Sequence, residues 1–228
     1  MYIDSNNNIL DTSQFKYFDE GKCARIYKDN NILLKIYKDD CRLDYYFSPK
    51  VFDKLKTLNL SSFVKLYNYY HENHLKKWYI PILSEMVYTM QYINNPHIFL
   101  LDQKKEYLLD IISKFEKDII ILTNNGIKMS DAHYSNIIFQ DNSATIIDID
   151  LFRYAKLIND KKLLLHNKEQ LLSYIISTLR HELKEKKLYN FRFEYIFCPS
   201  ELLFMNVIDY LKTVITEDTI EQSLIKKL

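Results

Sequence analysis

Four polar side chains surround two short apolar runs in the middle of the chain. Asp131 precedes Asn136 by five residues, and Asp148 and Asp150 follow the second run. Aspartate and asparagine form strands poorly, so the folding of these runs does not explain them. A carboxylate can accept the proton of a substrate hydroxyl, and an amide oxygen with a second carboxylate can hold Mg²⁺. The types and spacing therefore favour Asp131 as a base and Asn136 with Asp148 as metal ligands, with turn capping as the alternative.

Lys35 is the second unusual residue. It lies within ILLKIY, a run that is otherwise apolar on both faces of a predicted strand. Burying an unpaired ammonium group is costly, so we expect Lys35 to meet an anion, and phosphate would be a natural partner. The alternative is a lysine whose stem packs on apolar residues while its charged end reaches water.

The first third of the chain is rich in strand patterns. Residues 14–38 alternate apolar and polar side chains and predict two or three antiparallel strands, the last pair joined at Asp29–Asn31. Two more strands are predicted at residues 63–73 and 76–86, with a candidate hinge at residues 84–95. The segments IKM, NIIF and ATIID predict very short strands beside the polar motif.

Helical patterns dominate later. Residues 48–58 predict one early helix, with Ser48 as its N-cap and proline at the first helical position. Residues 103–125 carry an apolar stripe that ends before Gly126, which is typical of a helix C-terminus. From residue 167 onward most of the chain predicts helix, so the fold class is α+β.

Composition limits the possible partners and compartment. The 228 residues are 47% hydrophobic, which suffices for one large domain or two lobes around a cleft. The formal net charge of +1 argues against a general nucleic-acid binder. No stretch approaches the length of a membrane span, and the N-terminal residues lack a secretory pattern. Three cysteines without metal-like spacing favour a reducing compartment, so we expect a cytoplasmic protein.

The polar motif resembles a known family. SDAHYSNIIF followed by IIDID is similar to the catalytic loop and metal-binding segment of the protein-kinase-like superfamily. Asp131, His133 and Asn136 match the D-x-H-x-x-N pattern of its atypical branch, which includes aminoglycoside phosphotransferases, lipopolysaccharide kinases and RIO-type kinases. That branch often has a residue other than glycine after the metal aspartate, as in the segment 148–150.

This resemblance implies both a fold and an activity. The fold would be two-lobed, with a small β-rich N-lobe carrying one helix at residues 1–86 and a mainly helical C-lobe at residues 87–228. The activity would be an ATP- and Mg²⁺-dependent transfer of the γ-phosphoryl group to a hydroxyl. The acceptor would be either a protein serine or threonine or a small molecule.

The resemblance also implies roles for individual residues. Asp131 would be the catalytic base, Asn136 and Asp148 would be the metal ligands, and Lys35 would contact the nucleotide phosphates. The remaining nucleotide contacts would be the phosphate-covering loop and the backbone that faces adenine: Gly21, Glu85, Met86 and Val87.

Some family features are missing. The catalytic aspartate follows methionine and serine rather than histidine and arginine, and the phosphate-covering hairpin has a single glycine. The helix at residues 48–58 contains no glutamate, so Asp44 or Asp53 would have to hold Lys35. These differences leave open a pseudokinase that acts as a nucleotide-binding or protein-interaction module.

Two polar residues of the motif have alternative readings. His133 is either a substrate contact or a packing and hydrogen-bonding residue of the loop. Asp150 is either a second metal contact or a structural partner of Arg153, and we favour the structural role.

Overall fold

The computed structural model describes residues 2–4, 6–38, 48–72, 86–96, 98–103, 105–155 and 160–185. It is an α+β protein that divides into two compact units. Unit 1 consists of Met1–Asn59, Phe63–Asn94 and Asp150–Phe152. Unit 2 consists of Leu60–Ser62, Asn95–Ile149 and Arg153–Leu228. The predicted domain limits at residues 86 and 87 stay a prediction.

Unit 1 is built on a six-stranded antiparallel sheet with one helix. The strand order is β1-β5-β6-β4-β3-β2. Its elements are β1 (Tyr2–Ile3), β2 (Lys16–Glu20), β3 (Ala24–Asp29), β4 (Ile32–Tyr37), α1 (Pro49–Thr57), β5 (Leu66–Glu72) and β6 (Met86–Gln91). The strands predicted within residues 14–38 are confirmed, and Asn30 turns the β3–β4 hairpin with a φ of 47°. Asparagine tolerates a positive φ better than most other residues do.

The central strand β4 buries side chains on both faces of this sheet. Leu34 packs with Tyr70 and Val87 in a core cluster on one face. The other face carries Lys35, which lies opposite Tyr88 of β6 in the strand register. Helix α1 covers the latter face, since its fully buried Phe52 places its ring 5.5 Å from that of Tyr88.

Unit 2 contains the longer helices and two short strand pairings among the described residues. Its elements are α2 (Lys105–Asn124), β7 (Ile127–Lys128), β8 (Ile137–Gln140), β9 (Ser143–Ile146), β10 (Arg153–Tyr154) and α3 (Asp160–Glu185), with single 3₁₀ turns at Leu100–Asp102 and Tyr134–Asn136. Strands β8 and β9 form a hairpin, and β10 pairs with β7. None of the helices among the described residues has the length and apolar character that a membrane span needs.

The helix at residues 103–125 is confirmed as α2. Its apolar stripe is buried at Ile111, Phe115 and Ile119, as the spacing predicts. Gly126 follows with a φ of 67°, the left-handed conformation in which glycine ends helices at little cost.

One expectation needs correction, one is refined, and two concern residues outside those that the structure describes. Within the candidate hinge at residues 84–95, Met86–Gln91 is strand β6, paired with β4 and β5, and the boundary between the two units falls at the end of this range, between Asn94 and Asn95. Cys23 is disulfide-bonded, whereas the cysteine pattern predicts reduced thiols. The strand expected at residues 76–86 falls almost wholly outside the described residues, as do the helices expected after residue 186.

Candidate functional site

The loop between β7 and β8 presents the predicted base in an unusual backbone conformation. Asp131 is exposed and has a φ of 63°, in the left-handed region that costs most side chains about 1–2 kcal/mol. Aspartate is one of the few residues that visits this region, because its short side chain bonds locally. Such local strain is common at functional sites, where surrounding contacts maintain it.

Asn136 supplies those contacts. Its Nδ2 donates to the backbone oxygen of Asp131 at 3.0 Å and to the carboxylate Oδ2 at 2.9 Å. Because both bonds use the amide nitrogen, the amide oxygen faces away from Asp131, where it accepts a long bond of 3.3 Å from Ser135. The amide thus fixes the predicted base with one end and presents an oxygen with the other.

A hairpin brings Asn136 next to the end of strand β9. Ile137 pairs with Ile146 in the β8–β9 register, and the backbone N–H of Ile147 donates to the backbone oxygen of Asn136 at 2.9 Å. Asp148, which is half-buried, follows directly after Ile147. The ladder therefore places the backbone of Asn136 beside the residue that precedes Asp148, and the convergence of the two side chains stays a prediction.

The buried phenol of Tyr174, on α3, interacts electrostatically with the carboxylates of Asp148 and Asp131. Tyr174 is fully buried, and its hydroxyl has no hydrogen-bond partner among the described residues. Burial raises the pKa of this hydroxyl strongly, and the negative charges of Asp148 and Asp131 raise it further. The phenol therefore stays protonated and keeps a proton to donate close to both carboxylates.

Helix α3 also anchors the segment that leads to Asp131. Asn167 is completely buried; its Oδ1 accepts from the backbone N–H of Met129 at 2.8 Å. Its Nδ2 donates to the oxygen of Ile127 at 2.9 Å and to the hydroxyl of Thr123 at 3.2 Å. One amide thus joins α2, β7 and the start of the loop, and residue types alone did not identify it.

Lys35 does meet an anion, as the sequence predicts, but a different one from those considered. Its Nζ donates to Oδ2 of Asp150 at 2.6 Å, and both side chains are about nine-tenths buried. Asp53, one of the two candidates for this role, lies exposed on α1, and Asp44 lies outside the described residues. The structure therefore gives Asp150 a role beyond the two that the sequence suggested.

The other predicted nucleotide contacts lie in unit 1 or outside the described residues. Gly21 is exposed in the β2–β3 hairpin, where its N–H donates to the oxygen of Ala24. Val87 is fully buried within β6, between β4 and β5, so its position differs from the hinge backbone that was expected. Met86 begins the same strand, and Glu85 lies outside the described residues.

His133 packs and bonds within the loop. Its Nδ1 lies 2.9 Å from the hydroxyl of Ser135, and its ring centroid is 4.3 Å from that of Tyr134. Tyr134 in turn stacks on His181 of α3, with centroids 3.9 Å apart and planes only 7° from parallel. These contacts agree with the packing role considered for His133.

Comparison with known proteins adds nothing to the geometry. No protein-family model matches the chain, and a search of curated proteins finds no match. Among the residues that the structure describes, no group of three or more histidine, cysteine, aspartate or glutamate side chains could hold a metal ion. The residues themselves must therefore carry any functional inference.

Proposed function

We propose that this protein is an ATP- and Mg²⁺-dependent phosphotransferase with a two-lobed, protein-kinase-like fold. The observation that carries the proposal is the bonding of Asn136 to both the backbone and the carboxylate of Asp131. A loop aspartate kept in a strained conformation by an asparagine, with a second aspartate at the adjoining strand end, has little structural purpose of its own. Unit 1 would be the N-lobe and unit 2 the C-lobe.

Asp131 would act as the base. In the proposed reaction the acceptor oxygen bonds to the γ-phosphorus, the bond from that phosphorus to the oxygen of ADP breaks, and the acceptor proton passes to Asp131. The exposure of its carboxylate leaves it accessible to an acceptor, while Asn136 restricts its orientation. Restricted orientation is one of the main ways in which enzymes accelerate such transfers.

Asn136 and Asp148 fit a magnesium ion that is also bound by phosphate. Mg²⁺ is usually held by only one or two protein carboxylates together with phosphate oxygens and water, so a set of three protein ligands is not required. The amide oxygen of Asn136 faces away from the base, and Asp148 directly follows Ile147, whose N–H bonds to the backbone oxygen of Asn136. When bound, the metal would neutralise charge on the phosphates.

Nucleotide binding would rely mainly on Lys35. Its buried ammonium suits a phosphate contact, and Gly21 lies in the hairpin where a phosphate-covering loop is expected. Because residues 86–91 form strand β6, adenine would contact the backbone that follows this strand, near residues 92–94, rather than residues 85–87.

The test is phosphoryl transfer by the purified full-length chain. We expect ADP formation from ATP with Mg²⁺, with or without autophosphorylation, and at least about a 100-fold loss in Asp131→Ala and Asp148→Ala. Asp141→Ala is the matched control, since Asp141 is an exposed aspartate in the turn of the same β8–β9 hairpin and should keep full activity. Full activity in Asp148→Ala would refute the proposal.

A pseudokinase is the second candidate. It is favoured by the single glycine of the β2–β3 hairpin and by the small number of candidate metal ligands among the described residues. It predicts binding without transfer, or no nucleotide binding at all. A melting temperature that is unchanged by ATP with Mg²⁺, in a protein that forms no ADP, would favour the non-catalytic module.

A further inference from the structure

Tyr88, Asp150 and Lys35 form a buried chain of hydroxyl, carboxylate and ammonium in unit 1. The Tyr88 hydroxyl donates to Oδ1 of Asp150 at 2.7 Å, and the Lys35 ammonium donates to Oδ2 at 2.6 Å. Each carboxylate oxygen therefore has its own donor. Tyr88 is completely buried, and Lys35 and Asp150 are 7% and 9% exposed.

The sheet positions two of these three residues, Lys35 and Tyr88. Lys35 and Tyr88 are directly opposite each other on β4 and β6, so the strand register fixes their separation. The ammonium also lies 5.5 Å from the ring centroid of Tyr37, two residues further along β4, and 5.6 Å from that of Tyr88. Two aromatic rings and one carboxylate thus define where the ammonium sits.

Stability alone gives little reason for this chain. A buried ion pair contributes little compared with apolar residues of the same volume, because both charges lose their hydration. The pair also occupies the face of the sheet against which the apolar Phe52 of α1 packs. A buried ammonium that must bind an anionic ligand is a functional reason for keeping the charges.

We infer that Asp150 and Tyr88 are positioning residues that hold the ammonium of Lys35 ready to bind the phosphates of a nucleotide. The inference rests on the proposed function and extends it. An ammonium carries three N–H donors, and Oδ2 of Asp150 accepts from one of them. The carboxylate of Asp150 thereby takes the place of the glutamate that helix α1 lacks.

The test compares the binding of ATP with Mg²⁺ and the binding of adenosine, which has no phosphates. Tyr88→Phe removes one hydroxyl and no charge, and should weaken ATP binding by about 2- to 10-fold. Asp150→Asn removes a partner of a charged group, and should weaken it by about tenfold or more. Neither should change adenosine binding, and Tyr27→Phe on neighbouring β3 is the matched control, expected to leave both unchanged.

A second comparison uses Lys35→Met as the background. If the two residues act through the lysine, Tyr88→Phe causes no further loss of ATP affinity in this background. A full additional loss, or an equal loss of adenosine and ATP binding, would show a general structural role and overturn the inference. Tighter ATP binding in Asp150→Asn would also overturn it, because Asp150 would then compete with phosphate.

The outcomes separate this inference from the proposed function. ATP binding that depends on Tyr88 through Lys35, without any phosphoryl transfer, would support the positioning role and refute the phosphotransferase. Active transfer without this dependence would support the phosphotransferase and refute the positioning role. A wild-type chain that binds no ATP would overturn both. If Asp150→Asn does not fold, Tyr88→Phe, which removes only a hydroxyl, decides the question.

Discussion

The Asn167 amide should be one of the most important single side chains for the stability of unit 2. Asn167→Ala leaves the buried N–H of Met129 and the oxygen of Ile127 without their partner. Each unsatisfied buried group costs about 1–3 kcal/mol, so the free energy of unfolding should fall by about 2–6 kcal/mol. The longer bond to Thr123, at 3.2 Å, adds less. Asn142→Ala, at the exposed turn of the β8–β9 hairpin, should change stability by less than about 0.5 kcal/mol.

Denaturant unfolding followed by far-ultraviolet circular dichroism suits this comparison, because the long helices α2 and α3 both belong to unit 2. Hydrogen exchange provides a local measurement, since the Met129 amide should lose protection in Asn167→Ala but not in Asn142→Ala. If both variants unfold at the same denaturant concentration and Met129 remains protected, then Asn167 does not hold the segment that leads to Asp131.

Three further predictions follow from single residues of unit 2. Gly126→Ala should cost about 1–2 kcal/mol by denaturant unfolding through its positive φ alone, since an added Cβ meets nothing within 4 Å, and Gly126→Asn should cost less. Burial, then the charges of Asp141 and Glu182, raises the pKa of Tyr107 to about 12 from 10.0. Because the pKa of Tyr107 is higher in the folded than in the unfolded protein, its contribution to stability is complete below pH 10.0 and should be lost as the pH rises towards about 12. A spectrophotometric titration should show this late-titrating phenol in the wild-type protein and not in Tyr107→Phe. Tyr174→Phe removes a buried hydroxyl without a described partner, so it should raise the free energy of unfolding by about 1 kcal/mol and with it the melting temperature. A lower melting temperature would show that the hydroxyl is bonded.

Local patterns predicted most of the elements because their causes are local. The β3–β4 turn follows from two consecutive asparagines, and the end of α2 follows from Gly126. There is also a physical reason why the sequence pattern did not predict strand β6. MVYTMQ lies centrally in the sheet and is buried on both faces at residues 87–90, so it lacks the alternation that marks a half-buried strand.

The site residues divide in the same way. Asp131 and Asn136 are five residues apart, and their bonding depends on one loop, so residue types and spacing sufficed to select them. The partner of Lys35 is 115 residues away, and the pairing depends on how the segment 150–152 joins unit 1. A helix-borne Asp53 was a reasonable guess from spacing alone, but no local rule could choose between it and Asp150.

Buried polar residues in otherwise apolar patterns would have been the better guide. Asp118 lies three residues after Phe115 and one before Ile119, on the buried stripe of α2, and it accepts the N–H of Ser62 at 2.6 Å. Glu182 is buried on α3 and accepts the N–H of Leu100 at 2.8 Å. A polar side chain that interrupts an apolar stripe must be satisfied inside the protein, so it marks a place where a helix holds a loop. Lys35 interrupts the apolar strand β4 in the same way, and it donates to a side chain, the carboxylate of Asp150.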